Sequence, residues 1–141
     1  AGFSASVHNT AVGLHSINCK NTFPCTSIAA GADTLAMCFI ETLALLQSGE
    51  THEVLLVCAD DALPEGLADY VDENEINGFA ALVKSSDSSA DNVIILSQDG
   101  SGVRSEKNES IKLLVSLLGE AGQDSVVMPG EAGQWRWQYQ C

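Results

Sequence analysis

Basic side chains are scarce in this chain: 6 lysines and arginines stand against 19 acids, a formal net charge of −13. So acidic a surface repels phosphate, which argues against nucleic acid and anionic membrane as partners. Histidine is rarer still, with only His8, His15 and His52. The cysteines (Cys19, Cys25, Cys38, Cys58 and Cys141) include no C-x-x-C pair, so neither a zinc site nor any other metal is expected. Their odd number and irregular spacing suit reduced thiols and a cytoplasmic setting. Cys38 and Cys58 lie in apolar runs and read as small buried hydrophobes. Long apolar runs are also missing: the longest, Leu35 to Leu46, is broken by Glu41 and too short to span a bilayer. No secretory leader pattern is visible. The first residue is alanine rather than methionine, so a trimmed chain or a fragment is expected.

What is present is enough for a core. With 141 residues and 45% apolar content, the chain reads as one domain over 1–141, itself whole or part of a larger fold. "SVHNTAVGLHSI" places Val7, Ala11, Leu14 and Ile17 near one helix face, with Asn9 or Ser6 to cap it. "TFPCTSIAA" (22–30) reads as a short edge or interface strand, with Pro24 near its start. Residues 33–48 predict the clearest helix, with Asp33 or Gly31 at its head and Gly49 after its last turn. Leu35, Met37, Phe39, Ile40, Leu43, Leu45 and Leu46 surround it, so it should be buried on most sides.

"HEVLLVCAD" reads as a central strand, parallel and covered on both faces. "GFAALVKS" and "NVIILSQ" follow as strands, separated by the polar turn "SDSSAD". A helix is predicted over 109–121 through Ile111, Leu114, Val115, Leu117 and Leu118. Trp135, Trp137 and Tyr139 alternate as in a terminal strand whose aromatics cover a core face. The mixture predicts an α/β domain built around one layered core.

From Val7 to Asp61 this succession resembles a β-ketoacyl synthase of the thiolase fold, in its divergent chain-length-factor type. The resemblance rests on an Asn- and Gly-bearing helix (Asn9, Gly13), on "NTFPCTSIAAGADTLAMCFIETLALLQSGE", and on Gly49 leading into "HEVLLVCAD". It weakens towards Ser97 and is loose beyond. It implies a thiolase-like αβα half-domain and fatty-acid- or polyketide-type (aryl-polyene-like) chemistry without a cofactor. In that family a cysteine at a helix N-terminus, where the dipole favours thiolate, takes the acyl chain as a thioester. Two histidines then help decarboxylate the extender and stabilise its enolate.

Laid over this chain without gaps from Gly13 to Gly49, the pattern puts the nucleophile position at Ala32, flanked by Gly31, Asp33 and Thr34 as tunnel candidates. A slip of a few residues towards Ala29 brings in no Cys or Ser. Asp33 reads as a helix cap. Cys25 imitates the nucleophile motif, but using it would insert about two helical turns before Gly49. His8 and His15 precede the nucleophile position and do not match the family's histidines. They read as hydrogen-bonded structural residues, and His52 as solvent-facing.

The remaining motifs have plain readings. Asp60-Asp61 is either a solvated strand end or the rim of a crevice. "DYVDENE" reads as a solvated acidic loop rather than a calcium loop. "SQDGSGVRS" reads as a turn without phosphate-loop spacing.

Three functions stay open. One is a non-elongating partner of an active ketoacyl synthase, paired through 22–30 as a homo- or heterodimer. The second is an active acyltransferase using Cys25 or residues outside this chain. The third is a structural half-domain. The resemblance implies an acidic acyl carrier protein as partner. A −13 chain would dock it only through a cluster such as Arg104, Lys107 and Lys112, or through another subunit.

Overall fold

The structure, a computed structural model, describes residues 9–60, 64–67, 77–85, 93–100, 114, 117–118, 125–131 and 133–140. The "DYVDENE" loop, Val7, His8, Asp61, Arg104, Lys107, Lys112 and Cys141 lie outside them. Helix α1 spans Thr10–Cys19, with Asn9 at its N-cap position but making no side-chain cap bond. Its end is a Schellman turn: Lys20 adopts a left-handed φ of 51°, and the Asn21 N–H donates to Ser16 O at 2.9 Å. The apolar stripe expected to be covered is not: no residue of α1 is buried, and Ile17 is 73% exposed. Helical spacing shows that a stripe needs cover without identifying the cover.

The strand expected at 22–30 does not form; the segment carries no regular secondary structure. A strand exists only with a ladder partner, none among the described residues pairs with it, and Pro24 offers no donor. A 3₁₀ turn at Gly31–Asp33 then leads into helix α2, Thr34–Ser48. Gly49 closes α2 in the left-handed conformation at φ 76°, as the sequence predicts. Leu35, Ala36, Phe39 and Thr42 are buried, and Thr42 Oγ1 donates back to Cys38 O at 2.8 Å. Ile40 and Leu43 are exposed, so α2 is buried along one face rather than on most sides.

Among the described residues, strand β1 (Glu53–Asp60) is neither central nor parallel. It pairs antiparallel with β2 (Asn77–Lys84) in a two-stranded sheet, with Leu56 opposite Ala81. Leu56 is buried towards the core, whereas Leu55 and Val57, on the other face, are 64% and 59% exposed. An uninterrupted apolar run signals two-sided burial; within the described residues only one side is covered. Asp60 therefore ends an antiparallel strand, opposite Asn77.

The second sheet is antiparallel in the order β3 (Val93–Asp99), β5 (Gln134–Gln140), β4 (Ser125–Pro129). The terminal strand expected from the aromatics is β5, and it is the middle strand. Trp137 faces Leu96 on one side and Val126 on the other. Strand β4 was not foreseen, although its buried Val126 and Met128 alternate with exposed Val127. Leu114, Leu117 and Leu118 are helical, and the first two are fully buried; the rest of the helix predicted over 109–121 lies outside the described residues. Leu114 and Leu117 join Leu35, Ala36, Phe39, Leu56, Val126, Met128, Trp135 and Trp137 in one core. Phe39 meets Trp137 edge-to-face, ring centroids 4.9 Å apart. No helix among the described residues is long and apolar enough to cross a membrane.

Candidate functional site

The corner before α2 is built by hydrogen bonds. Thr34 Oγ1 accepts the Ala30 N–H at 2.9 Å and donates to Gly31 O at 2.8 Å, while the Asp33 N–H donates to Ala30 O at 3.0 Å. Gly31 holds a φ of +56°, which an L side chain rarely adopts. The turn is thereby drawn tight against the first turn of α2.

Asp33 occupies the N-cap position, but its side chain makes no cap hydrogen bond. This corrects the reading of it as a cap. Its Oδ1 instead accepts the indole Nε1–H of Trp135 at 2.8 Å and the backbone N–H of Glu131 at 3.1 Å. One carboxylate oxygen thus ties the head of α2 to the turn between β4 and β5, about a hundred residues along the chain. The buried Trp135 indole gains an acceptor it would otherwise lack. The turn must come close, which explains Gly130. A Cβ there would collide with the Asp33 carboxylate and stand 2.8 Å from Trp135 Nε1. The Gly130 N–H closes the turn on Gly133 O at 2.8 Å.

Ala32 lies within the 3₁₀ turn, partly buried, between Gly31 and Asp33. A Cβ on Gly31 would stand 2.8 Å from Glu131 Oε1, so a second carboxylate reaches this corner. Trp135, Gly130 and Glu131 were missed as parts of the site. The aromatic alternation located Trp135 in the core, but nothing in it names the partner of the N–H.

Cys25 stands apart from the corner, exposed, six residues before Gly31. Its thiol donates to Phe23 O at 3.4 Å and accepts from Asn21 Nδ2 at 3.5 Å. It lines an open surface groove of ≈ 540 Å³ between α1 and the 22–30 segment, with Val12, Ser16 and Phe23. His15 is also exposed, its Nδ1 3.6 Å from Cys19 Sγ one turn along α1. His52 is exposed before β1, as expected.

Cys38 and Cys58 are half-buried. Burial raises the Cys38 thiol, partly offset by a hydrogen bond with Cys58. Burial, reinforced by the charge and hydrogen bonding of Cys38, pushes Cys58 up to about 11. Neither therefore offers a thiolate at neutral pH. Among the described residues no group of His, Cys, Asp and Glu is arranged to hold a metal ion.

Comparison with known proteins places this geometry. A family model described as the N-terminal domain of β-ketoacyl synthases matches residues 1–138. Among solved structures, the chain is similar to one in the complex of a ketosynthase (ApeO) with its chain length factor (ApeC) from Xenorhabdus doucetiae. The identity is 24% and the TM-score 0.77, over 96% of this chain and 56% of that one. This chain thus spans little more than half of that relative. No curated protein matches it. The likeness shows a ketosynthase, thiolase-like fold of mixed helix and sheet, and with the family match over nearly its whole length the chain belongs to the β-ketoacyl synthase family, in its N-terminal domain.

Proposed function

We propose that this chain is a non-elongating member of its family: a partner or chain-length subunit in fatty-acid- or polyketide-type, aryl-polyene-like, biosynthesis. One observation carries the reading. The residue at the head of α2 that lies where the family pattern puts its nucleophile is Ala32, and a methyl group cannot form a thioester. Its mate is an active ketoacyl synthase subunit, which acts on acyl chains delivered by the acyl carrier protein. Gly31, Ala32, Asp33 and Thr34 help wall the acyl tunnel that the pair shares.

The 22–30 segment is the pairing edge. Among the described residues it has no strand partner, and Phe23 on it and Ile17 of α1 are 80% and 73% exposed. A mate supplies the missing ladder, covers these apolar side chains and offers the basic docking surface that a −13 chain lacks. The solved ketosynthase–chain length factor complex supports such a pairing by analogy of fold. A reducing cytoplasm suits the free thiols.

The second reading, an acyltransferase using Cys25, draws support from the groove that Cys25 lines and from its Asn21 donor. Cys25 is nevertheless away from the α2 N-terminus, whose dipole would activate it. A structural half-domain is the third reading. Titrating this chain into a ketosynthase assay separates them. A partner subunit forms a stoichiometric complex and changes product length. A Cys25 enzyme makes product alone and loses activity on selective alkylation of Cys25. Neither outcome leaves the half-domain.

A further inference from the structure

Two side chains of the kinds that ligate metals meet on the open surface of α1. His15 and Cys19 are four residues apart and project from one face of the helix. The His15 Nδ1 lies 3.6 Å from Cys19 Sγ, and both residues are exposed. That separation is a chelate bite. An ion with the bond lengths of zinc, about 2.3 Å to a thiolate and about 2.1 Å to an imidazole nitrogen, would see two atoms 3.6 Å apart at about 110°. This is the tetrahedral angle, so an ion can replace the proton between the two atoms without drawing them closer or apart.

The place also suits positive charge. Cys19 is the last residue of α1, at the negative end of the helix dipole, and the chain as a whole carries −13. Lys20, next along, is exposed, so water and salt screen its charge.

One chain by itself makes no complete site, because among the described residues no third His, Cys, Asp or Glu joins the pair. A structural zinc takes four ligands. A second copy offers the same two, and a two-fold axis through the ion brings two imidazoles and two thiolates together. Helix α1 is open to that approach, since none of its residues is buried. All 19 acids of the chain lie at or after Asp33, so α1 brings no carboxylate of its own to the contact.

We propose that His15 and Cys19 form half of a tetrahedral site for zinc or a similar thiophilic divalent metal, completed by the same pair of a second copy, so that the ion joins two chains through α1. On binding, each Cys19 thiol releases its proton to solvent and each imidazole gives a nitrogen lone pair; no electron is transferred. The pairing is independent of the reading of residue 32 as the nucleophile position.

Cobalt(II) is the probe, because thiolate coordination gives it a near-ultraviolet charge-transfer band and a tetrahedral site gives it strong visible bands. Titration of the reduced native chain, followed by absorption and sedimentation, should show both sets of bands. It should end at one ion per two chains with a doubling of mass that a chelator reverses, and zinc should displace the cobalt. Cys19→Ser and His15→Gln should each weaken cobalt binding by about tenfold or more and abolish the doubling. Cys25→Ser, which removes the other exposed thiol near α1, should change neither. His15 and Cys19 are exposed, so their variants keep the fold, and metal-free melting curves check it. Four results overturn the proposal: no thiolate band, binding unchanged by Cys19→Ser or His15→Gln, loss of the band in Cys25→Ser, or one ion per chain with no doubling of mass.

Discussion

Replacing Asp33 by alanine isolates the bond that holds the site together. The change removes the acceptor of the indole N–H of Trp135, a side chain that is only 5% exposed. Stranding a buried donor costs about 1–3 kcal/mol. The Glu131 N–H, in an exposed turn residue, recovers water and adds only about 0.5 kcal/mol. The expected loss is about 1.5–3.5 kcal/mol, or roughly 5–12 °C in melting temperature for a domain of this size.

Urea unfolding followed by tryptophan fluorescence measures it, with Trp135→Phe as the partner substitution. If the two side chains act through one bond, the double variant is less destabilised than the sum, by about 1–2 kcal/mol of coupling. A plain N-cap would also lose about 1 kcal/mol on change to alanine, but with no coupling to Trp135. Additive behaviour of Asp33→Ala and Trp135→Phe would refute the bridge.

Four further outcomes follow from the same structure. Gly130→Ala forces a Cβ against the Asp33 carboxylate and the Trp135 ring and should cost about 1–3 kcal/mol in chemical denaturation, whereas Gly13→Ala, with open space around it in α1, should be neutral or stabilising by about 1 kcal/mol. Trp137 Nε1 is buried without a hydrogen-bond partner, so Trp137→Phe should cost less stability than Trp135→Phe, which surrenders a bond of 2.8 Å. Cys58, raised to about 11, keeps its proton in the folded state while the unfolded thiol loses it near 9.0. Its stabilising contribution is complete below pH 9 and should fade between pH 9 and 11, and Cys58→Ala should flatten that part of the stability–pH curve. Phe23→Asp, at an 80% exposed position, should leave the stability of the isolated chain within about 0.5 kcal/mol of native while weakening association with a synthase mate in sedimentation.

Local signals carried the reading of the sequence where it succeeded. Helix α2 announces itself through its apolar content and through Gly49, whose left-handed φ of 76° is a one-residue requirement. Strand β5 shows in the alternation of Trp135, Trp137 and Tyr139, because a period of two is visible without knowing the neighbours. Partnership was not visible. The run "EVLLVCAD" says that β1 is apolar on both faces, but only pairing decides that β2 lies beside it, antiparallel.

The 22–30 segment shows the converse: its composition suits a strand, yet with no ladder partner among the described residues it is not one. At the site, the resemblance led to the corner at Ala32, and Asp33 was singled out for the wrong reason. Its role depends on a tryptophan 102 positions away, a distance no local pattern spans. Strand β4, five residues long, offers too few alternations to stand out from a loop.

The most direct measurement is intact mass spectrometry of the native chain after incubation with an acyl-carrier thioester and removal of the excess. With alanine at the head of α2, the account predicts an unchanged protein mass. An added acyl group that maps to Cys25 would contradict it and make this chain an acyl-transferring enzyme in its own right.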